Sequence, residues 1–122
     1  MAKRKILIVD DDRLAQRTLN VLLAKNQYDT VVAADAVLAL ALARKEKPDL
    51  ILLDIGLPGG GGLTVLERLR GIAGLGGIPV IVVSATDANR EPALSAGAEG
   101  FFLKPVDGDV LLAVIRRTLG ES

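Results

Sequence analysis

The feature that most constrains this chain is a set of short apolar runs rich in β-branched side chains, set apart by stretches long enough for one helix each. Ile6-Leu7-Ile8-Val9, Thr30-Val31-Val32-Ala33, Leu50-Ile51-Leu52-Leu53 and Val80-Ile81-Val82-Val83 are of this kind, and Gly100-Phe101-Phe102-Leu103 is a fifth. Continuous runs without polar alternation suit strands buried on both faces, as in parallel sheets. Parallel neighbours cannot be joined by a tight turn and need a crossover, usually a helix. The stretches between the runs fit that need. From Arg13 to Lys25, Leu14, Thr18, Val21 and Leu22 fall on one stripe at helical spacing. Asp35 to Lys45 is rich in Ala and Leu, which favour helix. Leu63, Leu66 and Leu69 recur between Leu63 and Arg70, and Val110, Leu111, Val114 and Ile115 form a core stripe between Asp109 and Leu119. The weakest helix is Asn89 to Ala96, where Pro92 fits only the first turn and Gly97 supplies the stop.

Strand and helix therefore alternate along the whole chain, with no linker, repeat or low-complexity segment. That alternation implies an α/β domain over residues 1–122, a doubly wound parallel sheet with helices on both faces. Five strands favour the flavodoxin-like (βα)5 order 2-1-3-4-5. In such sheets the ligand site lies beyond the carboxyl ends of the strands, where the strand order reverses between the first and the third.

Composition limits what such a site can do. The 122 residues contain no cysteine and no histidine, which excludes disulfides, thiolate and imidazole metal ligands, and Ser-His-Asp triads. Lys plus Arg and Asp plus Glu number 15 each, so the chain lacks the excess positive charge used to bind nucleic acid or an anionic membrane. No apolar run reaches about 18 residues, and the start of the chain does not read as a signal peptide. A soluble cytoplasmic domain is expected, whose chemistry uses Asp, Glu, Lys, Ser, Thr and backbone groups.

Those residues fall at the strand ends. Asp10, Asp11 and Asp12 follow the first strand, Asp54-Ile55-Gly56-Leu57-Pro58 the third, Ser84-Ala85 the fourth, and Lys104-Pro105 the fifth. Clustered carboxylates repel one another in a partly dry site unless a cation is present. All-oxygen ligands favour a hard ion such as Mg²⁺. A lysine and a hydroxyl nearby can hold the oxygens of an anion. The set suits a phosphoryl group, and one aspartate can serve as the nucleophile that carries it. Singly, each has an ordinary reading: an aspartate of the Asp10–Asp12 run as the N-cap of the first helix, Asp54 as a polar strand end, Lys104 as a solvated side chain. Their coincidence at four strand ends is what favours a site.

Four segments together resemble the receiver domain of two-component response regulators, the family of the bacterial chemotaxis receiver. They are Ile6-Leu7-Ile8-Val9-Asp10-Asp11-Asp12; Pro48-Asp49-Leu50-Ile51-Leu52-Leu53-Asp54-Ile55-Gly56-Leu57-Pro58 with Gly62; Val82-Val83-Ser84-Ala85; and Ala96-Gly97-Ala98 through Phe101 to Lys104-Pro105. They occur in family order and cover essentially the whole chain. The resemblance implies that Asp54 is the phosphoacceptor. It implies a Mg²⁺ site of Asp10, Asp11, Asp54 and the Gly56 backbone carbonyl, with Asp11 in direct contact and Asp10 acting largely through water. Lys104 would contact the phosphoryl oxygens, Ser84 would be the hydroxyl that turns toward them, and Phe101 the aromatic that follows. Asp12 becomes a cap or a surface charge, and the Lys104–Pro105 bond is expected to be cis. The implied partners are a sensor histidine kinase or histidine phosphotransfer protein and a downstream effector, without direct nucleic-acid or membrane binding. The implied state is a monomer or a weak phosphorylation-dependent dimer.

Some positions depart from that family. The segment from Ser84 to Lys104 is shorter than usual, so a shortened fourth helix is expected. Gly59 to Gly62 form a run expected to be a mobile loop. Gly56 and Thr86 occupy the positions that tune dephosphorylation in the family. In the last helix Leu112 and Leu119 lie partly off the core stripe, as exposed leucines of the kind scattered over ordinary surfaces. A haloacid-dehalogenase type of phosphatase needs a second aspartate where Gly56 stands, and the glycine run matches neither G-x-G-x-x-G nor a P-loop. A pseudo-receiver scaffold is the remaining alternative; its usual sign, loss of an acidic residue or the lysine, is absent.

Overall fold

Each of the five apolar runs forms a strand: β1 (Lys5–Val9), β2 (Asp29–Ala33), β3 (Leu50–Asp54), β4 (Val80–Ser84) and β5 (Gly100–Leu103). They alternate with α1 (Arg13–Lys25), α2 (Ala36–Glu46), α3 (Gly61–Gly71), α4 (Arg90–Ser95) and α5 (Gly108–Thr118). The structure is a computed structural model that describes residues 3–57 and 61–121. The strands form one sheet in the order β2-β1-β3-β4-β5, and every pairing is parallel. This is the flavodoxin-like order expected from the alternation.

Side chains alternate across each strand, so the two faces of the sheet collect different residues. Leu7, Val9, Ile51, Leu53, Val80 and Val82 pack with Ala39 and Ala43 of α2, Leu66 and Leu69 of α3, and Ala93 of α4. Ile6, Ile8, Leu50, Leu52 and Ile81 pack on the other face with Leu23 of α1 and with Leu111, Leu112 and Ile115 of α5. Both layers are apolar, which is why the strands carry no polar alternation.

Aspartates start three of the helices. Asp12 accepts from the Leu14 N–H at 3.1 Å, Asp35 from Leu38 at 2.8 Å, and Asp107 from Asp109 and Val110 at 2.9 and 3.3 Å. Each satisfies donors that a helix leaves free at its start. The fourth helix is indeed short: a single 3-10 turn over Asp87–Asn89 leads into the six residues of α4. Pro92 sits in its first turn, and Gly97 ends the segment at φ +100°.

The buried faces of two helices differ in part from those expected. In α1, Leu14 is 71% exposed and Val21 54% exposed; Leu22 packs inward as expected, and Leu19 and Leu23 join it. In α5, Leu111, Val114 and Ile115 face the core as expected, but Val110 is 50% exposed, while Leu112 is buried and Leu119 packs against the same cluster. Both helices carry apolar residues on adjoining stripes, so periodicity alone leaves the edges of the buried face open. Docking on the sheet sets those edges.

The glycine run also differs from expectation. Gly59 and Gly60 lie outside the described residues, but Gly61 and Gly62 are buried in the first turn of α3. A Cβ on Gly62 would stand 2.3 Å from the Ile55 Cα and 2.4 Å from its carbonyl oxygen. Glycine is present there because α3 runs against the backbone of the β3–α3 turn, not to confer mobility.

Candidate functional site

Strand register carries four side chains to one edge. Val9 pairs with Leu53, so Asp10 emerges beside Asp54; Asp54 pairs with Val83, and Ser84 with Leu103, which places Lys104 next. Backbone bonds continue the ladder past the strands, from the Ile55 N–H to the Val83 carbonyl and from the Lys104 N–H to the Ser84 carbonyl. Because β1 and β3 are neighbours while their connections leave in different directions, the edge opens into a cleft at this point.

Asp10, Asp54 and Ser84 are the buried polar side chains among the described residues. Lys104 Nζ donates to Asp10 Oδ2 at 3.1 Å and to Asp54 Oδ2 at 3.2 Å, bridging the two carboxylates. The remaining oxygens take backbone donors: Asp10 Oδ1 from Asp12 at 2.9 Å, and Asp54 Oδ1 from Gly56 at 2.9 Å. Gly56 itself is exposed, and a Cβ there would come 3.3 Å from Asp54 Oδ1. Asp11 points outward, yet a carboxylate oxygen from each of Asp10, Asp11 and Asp54 can lie within 4.8 Å of the others.

Burial pushes the Asp10 carboxyl up; the Asp12 N–H and Lys104 work against that rise, and the Asp54 charge adds to it. Burial alone would lower Lys104, but its hydrogen bond to Asp10 and the charges of both aspartates raise it above the usual lysine range. The lysine is therefore held charged. Three carboxylates and one ammonium leave the cluster short of positive charge. An all-oxygen donor set with that deficit fits a small hard dication, not a soft transition metal.

Ser84 is also at the edge, but its hydroxyl is engaged elsewhere. Oγ donates to the Thr86 carbonyl at 2.9 Å and accepts from the Thr86 N–H and from Asn89 Nδ2, both at 3.2 Å. Phe101, half-buried on β5, lies one strand over, and the Arg90 guanidinium covers its ring at 4.7 Å from the centroid. The Lys104–Pro105 bond is cis, as expected. Asp12 is the cap of α1. Sequence reasoning did not single out Gln16, whose Nε2 donates to the Asp10 carbonyl at 2.5 Å, nor Asn89 and Arg90. These contacts join a helix or the turn before α4 to strands, and no spacing rule encodes them.

Among the described residues, no helix is long and apolar enough to cross a membrane. The sequence profile of the response regulator receiver domain matches residues 6–116. Response regulator PleD of Caulobacter vibrioides is 38% identical over 92% of this chain, which spans 25% of that protein. DNA-binding response regulator MtrA of Mycobacterium tuberculosis H37Rv is 34% identical over 98% of the chain, which spans 52% of it. The chain thus covers a quarter to a half of these relatives. A CheY-like receiver from Methanospirillum hungatei superposes with a TM-score of 0.88 at 33% identity, covering 97% of this chain and 94% of that one. The receiver domain of the sensor histidine kinase PA1611 of Pseudomonas aeruginosa, with magnesium coordinated in its active-site cleft, gives 0.89 at 27% identity, covering 98% and 100%. Matching sequence over nearly the whole chain and a matching fold make this protein a member of the response regulator receiver domain family, the receiving module of two-component signalling.

Proposed function

We propose that the chain accepts a phosphoryl group on Asp54 from a phosphohistidine of a sensor kinase or histidine phosphotransfer protein. The observation that carries this reading is the Lys104 bridge, which holds a buried aspartate beside a fixed positive charge at the open edge of the sheet. Phosphoryl transfer depends on in-line placement and charge neutralisation more than on acid–base chemistry. An Asp54 carboxylate oxygen forms the new bond to phosphorus as the P–N bond to the donor imidazole breaks, and the electron pair of that bond leaves with the imidazole nitrogen. The Gly56 N–H and Lys104 hold and orient the Asp54 carboxylate. Lys104 then follows the charge onto the phosphoryl oxygens. Asp10, Asp11, Asp54 and the Gly56 carbonyl would hold Mg²⁺, which would supply further neutralising charge. Asp10 contributes to that site while its own oxygens are held by Asp12 and Lys104.

After transfer, the Ser84 hydroxyl turns to the phosphoryl group and Phe101 repacks, altering the α4–β5–α5 face that a downstream effector reads. Loss of the acyl phosphate to water, promoted by the same residues, returns the protein to its resting state.

Incubation with Mg²⁺ and acetyl phosphate, read by intact mass, tests the reading. A gain of one phosphoryl group that requires Mg²⁺ and is absent in Asp54→Asn supports it. No gain in mass, together with no binding of beryllofluoride, overturns it and leaves the non-phosphorylated scaffold.

A further inference from the structure

The resting hydroxyl of Ser84 is held by more than its own turn. Of its three hydrogen bonds, two go to the Thr86 backbone and one comes from a side chain, Asn89 Nδ2. Asn89 closes the 3-10 turn that precedes α4, and its neighbour Arg90 covers the Phe101 ring while its Nε bonds Asp87 at 2.7 Å. Adjacent residues of one short segment thus grip both side chains that the proposed reaction moves.

We propose that Asn89 is a positioning residue that keeps the Ser84 hydroxyl on the Thr86–Asn89 turn, and so sets how readily the phosphorylated conformation forms. This inference rests on the phosphoacceptor reading. A hydroxyl that turns to the phosphoryl group gives up the Asn89 donor, so that bond stabilises only the resting arrangement. A contact made in one of two states biases their populations and nothing else. Removing the amide therefore favours the active arrangement, and a phosphoryl analogue that requires it binds more tightly. Arg90 reinforces the hold, because the segment that carries Asn89 is itself fastened to Phe101 and Asp87.

Beryllofluoride affinity at saturating Mg²⁺, read by fluorine NMR or calorimetry, provides the test. Asn89→Ala and Asn89→Leu are expected to bind about three- to tenfold more tightly than wild type, the effect of one neutral hydrogen bond. In a Ser84→Ala background the Asn89 substitutions are expected to change nothing, since no hydroxyl remains to be held. A general loosening of the 3-10 turn would not depend on Ser84. Equal or weaker binding by the Asn89 variants, or a gain that survives in the Ser84→Ala background, overturns the proposal. If the folded wild type binds no beryllofluoride, the acceptor reading fails and the proposal falls with it, an outcome distinct from a wild type that binds as well as its variants.

Discussion

Replacing Gly62 by alanine perturbs the point where α3 meets the backbone leaving the phosphoacceptor strand. The added Cβ would lie 2.3 Å from the Ile55 Cα, 2.4 Å from its oxygen and 2.5 Å from its carbonyl carbon, whereas ordinary contact begins near 3.4 Å. Restoring contact requires α3 to retreat by about 1 Å from three backbone atoms that cannot rotate aside. Overpacking of this kind costs about 3 kcal/mol, against which the helix propensity of alanine returns at most about 1 kcal/mol. Total stability for a chain of this length is on the order of 6 to 18 kcal/mol, so the variant still folds. With a urea slope of about 1.5 kcal/mol per molar, the midpoint is expected to fall by about 1 to 2 M. Gly71→Ala is the internal control. It lies in the same helix, and a Cβ there meets nothing within 4 Å. Its midpoint is expected to stay level or rise by up to about 0.5 M. If Gly62→Ala unfolds at or above the wild-type midpoint, the close approach of α3 to Ile55 is wrong. Because Ile55 follows Asp54, acetyl phosphate labelling of Gly62→Ala is expected to slow as well.

Tyr28, the protein's one tyrosine, is buried and donates to Glu121 Oε1 at 2.6 Å; burial, then the Glu121 hydrogen bond and charge, push its phenol up to about 12. A pKa above that of the unfolded chain stabilises the fold fully below about pH 10, and this contribution, about 2 to 3 kcal/mol, is lost as pH rises toward 12; phenolate absorbance of the folded protein titrating near pH 10 would refute it, and Glu121→Gln should move the midpoint down. Lys104→Met leaves Asp10 and Asp54 buried without their cation, and the Asp10 carboxyl, already raised by burial, rises further once the lysine no longer opposes that rise. Stability at pH 7 should then fall by about 1 to 3 kcal/mol and recover as the pH is lowered and the Asp10 carboxyl takes up its proton, and an unfolding midpoint that ignores acidification more than the wild type does would contradict this. Arg70 donates to the carbonyls of Gly76, Ile78 and Gly97 at 3.1, 2.8 and 2.6 Å, tying the α3–β4 loop to the turn after α4. Arg70→Met is expected to lower stability by about 2 kcal/mol in thermal unfolding, with no change seen if those bonds contribute nothing.

The parts of the site that could be read from the sequence are those fixed by strand ends. Asp10, Asp54, Ser84 and Lys104 each follow an apolar run, and a parallel sheet must bring the ends of its strands to one edge. The cap at Asp12, the short fourth helix and the stop at Gly97 were readable for similar local reasons. Gly61 and Gly62 were not: a glycine run looks the same whether it is loose chain or a helix start pressed on another backbone. Nor were Asn89 and Gln16, whose partners lie in other loops or at strand ends.

The sequence by itself determined the class of fold, the strand order and the residue types at the sheet edge, because hydrophobic periodicity and strand–helix alternation are local properties of the chain. Tertiary structure alone decided where the buried faces of α1 and α5 end, why residue 62 is glycine, and that Ser84 is held by Asn89. Those outcomes depend on distances between segments far apart along the chain or joined by irregular turns. Such distances are set when the helices dock on the sheet and compete for the same apolar surface, and no window of sequence contains both sides of that competition.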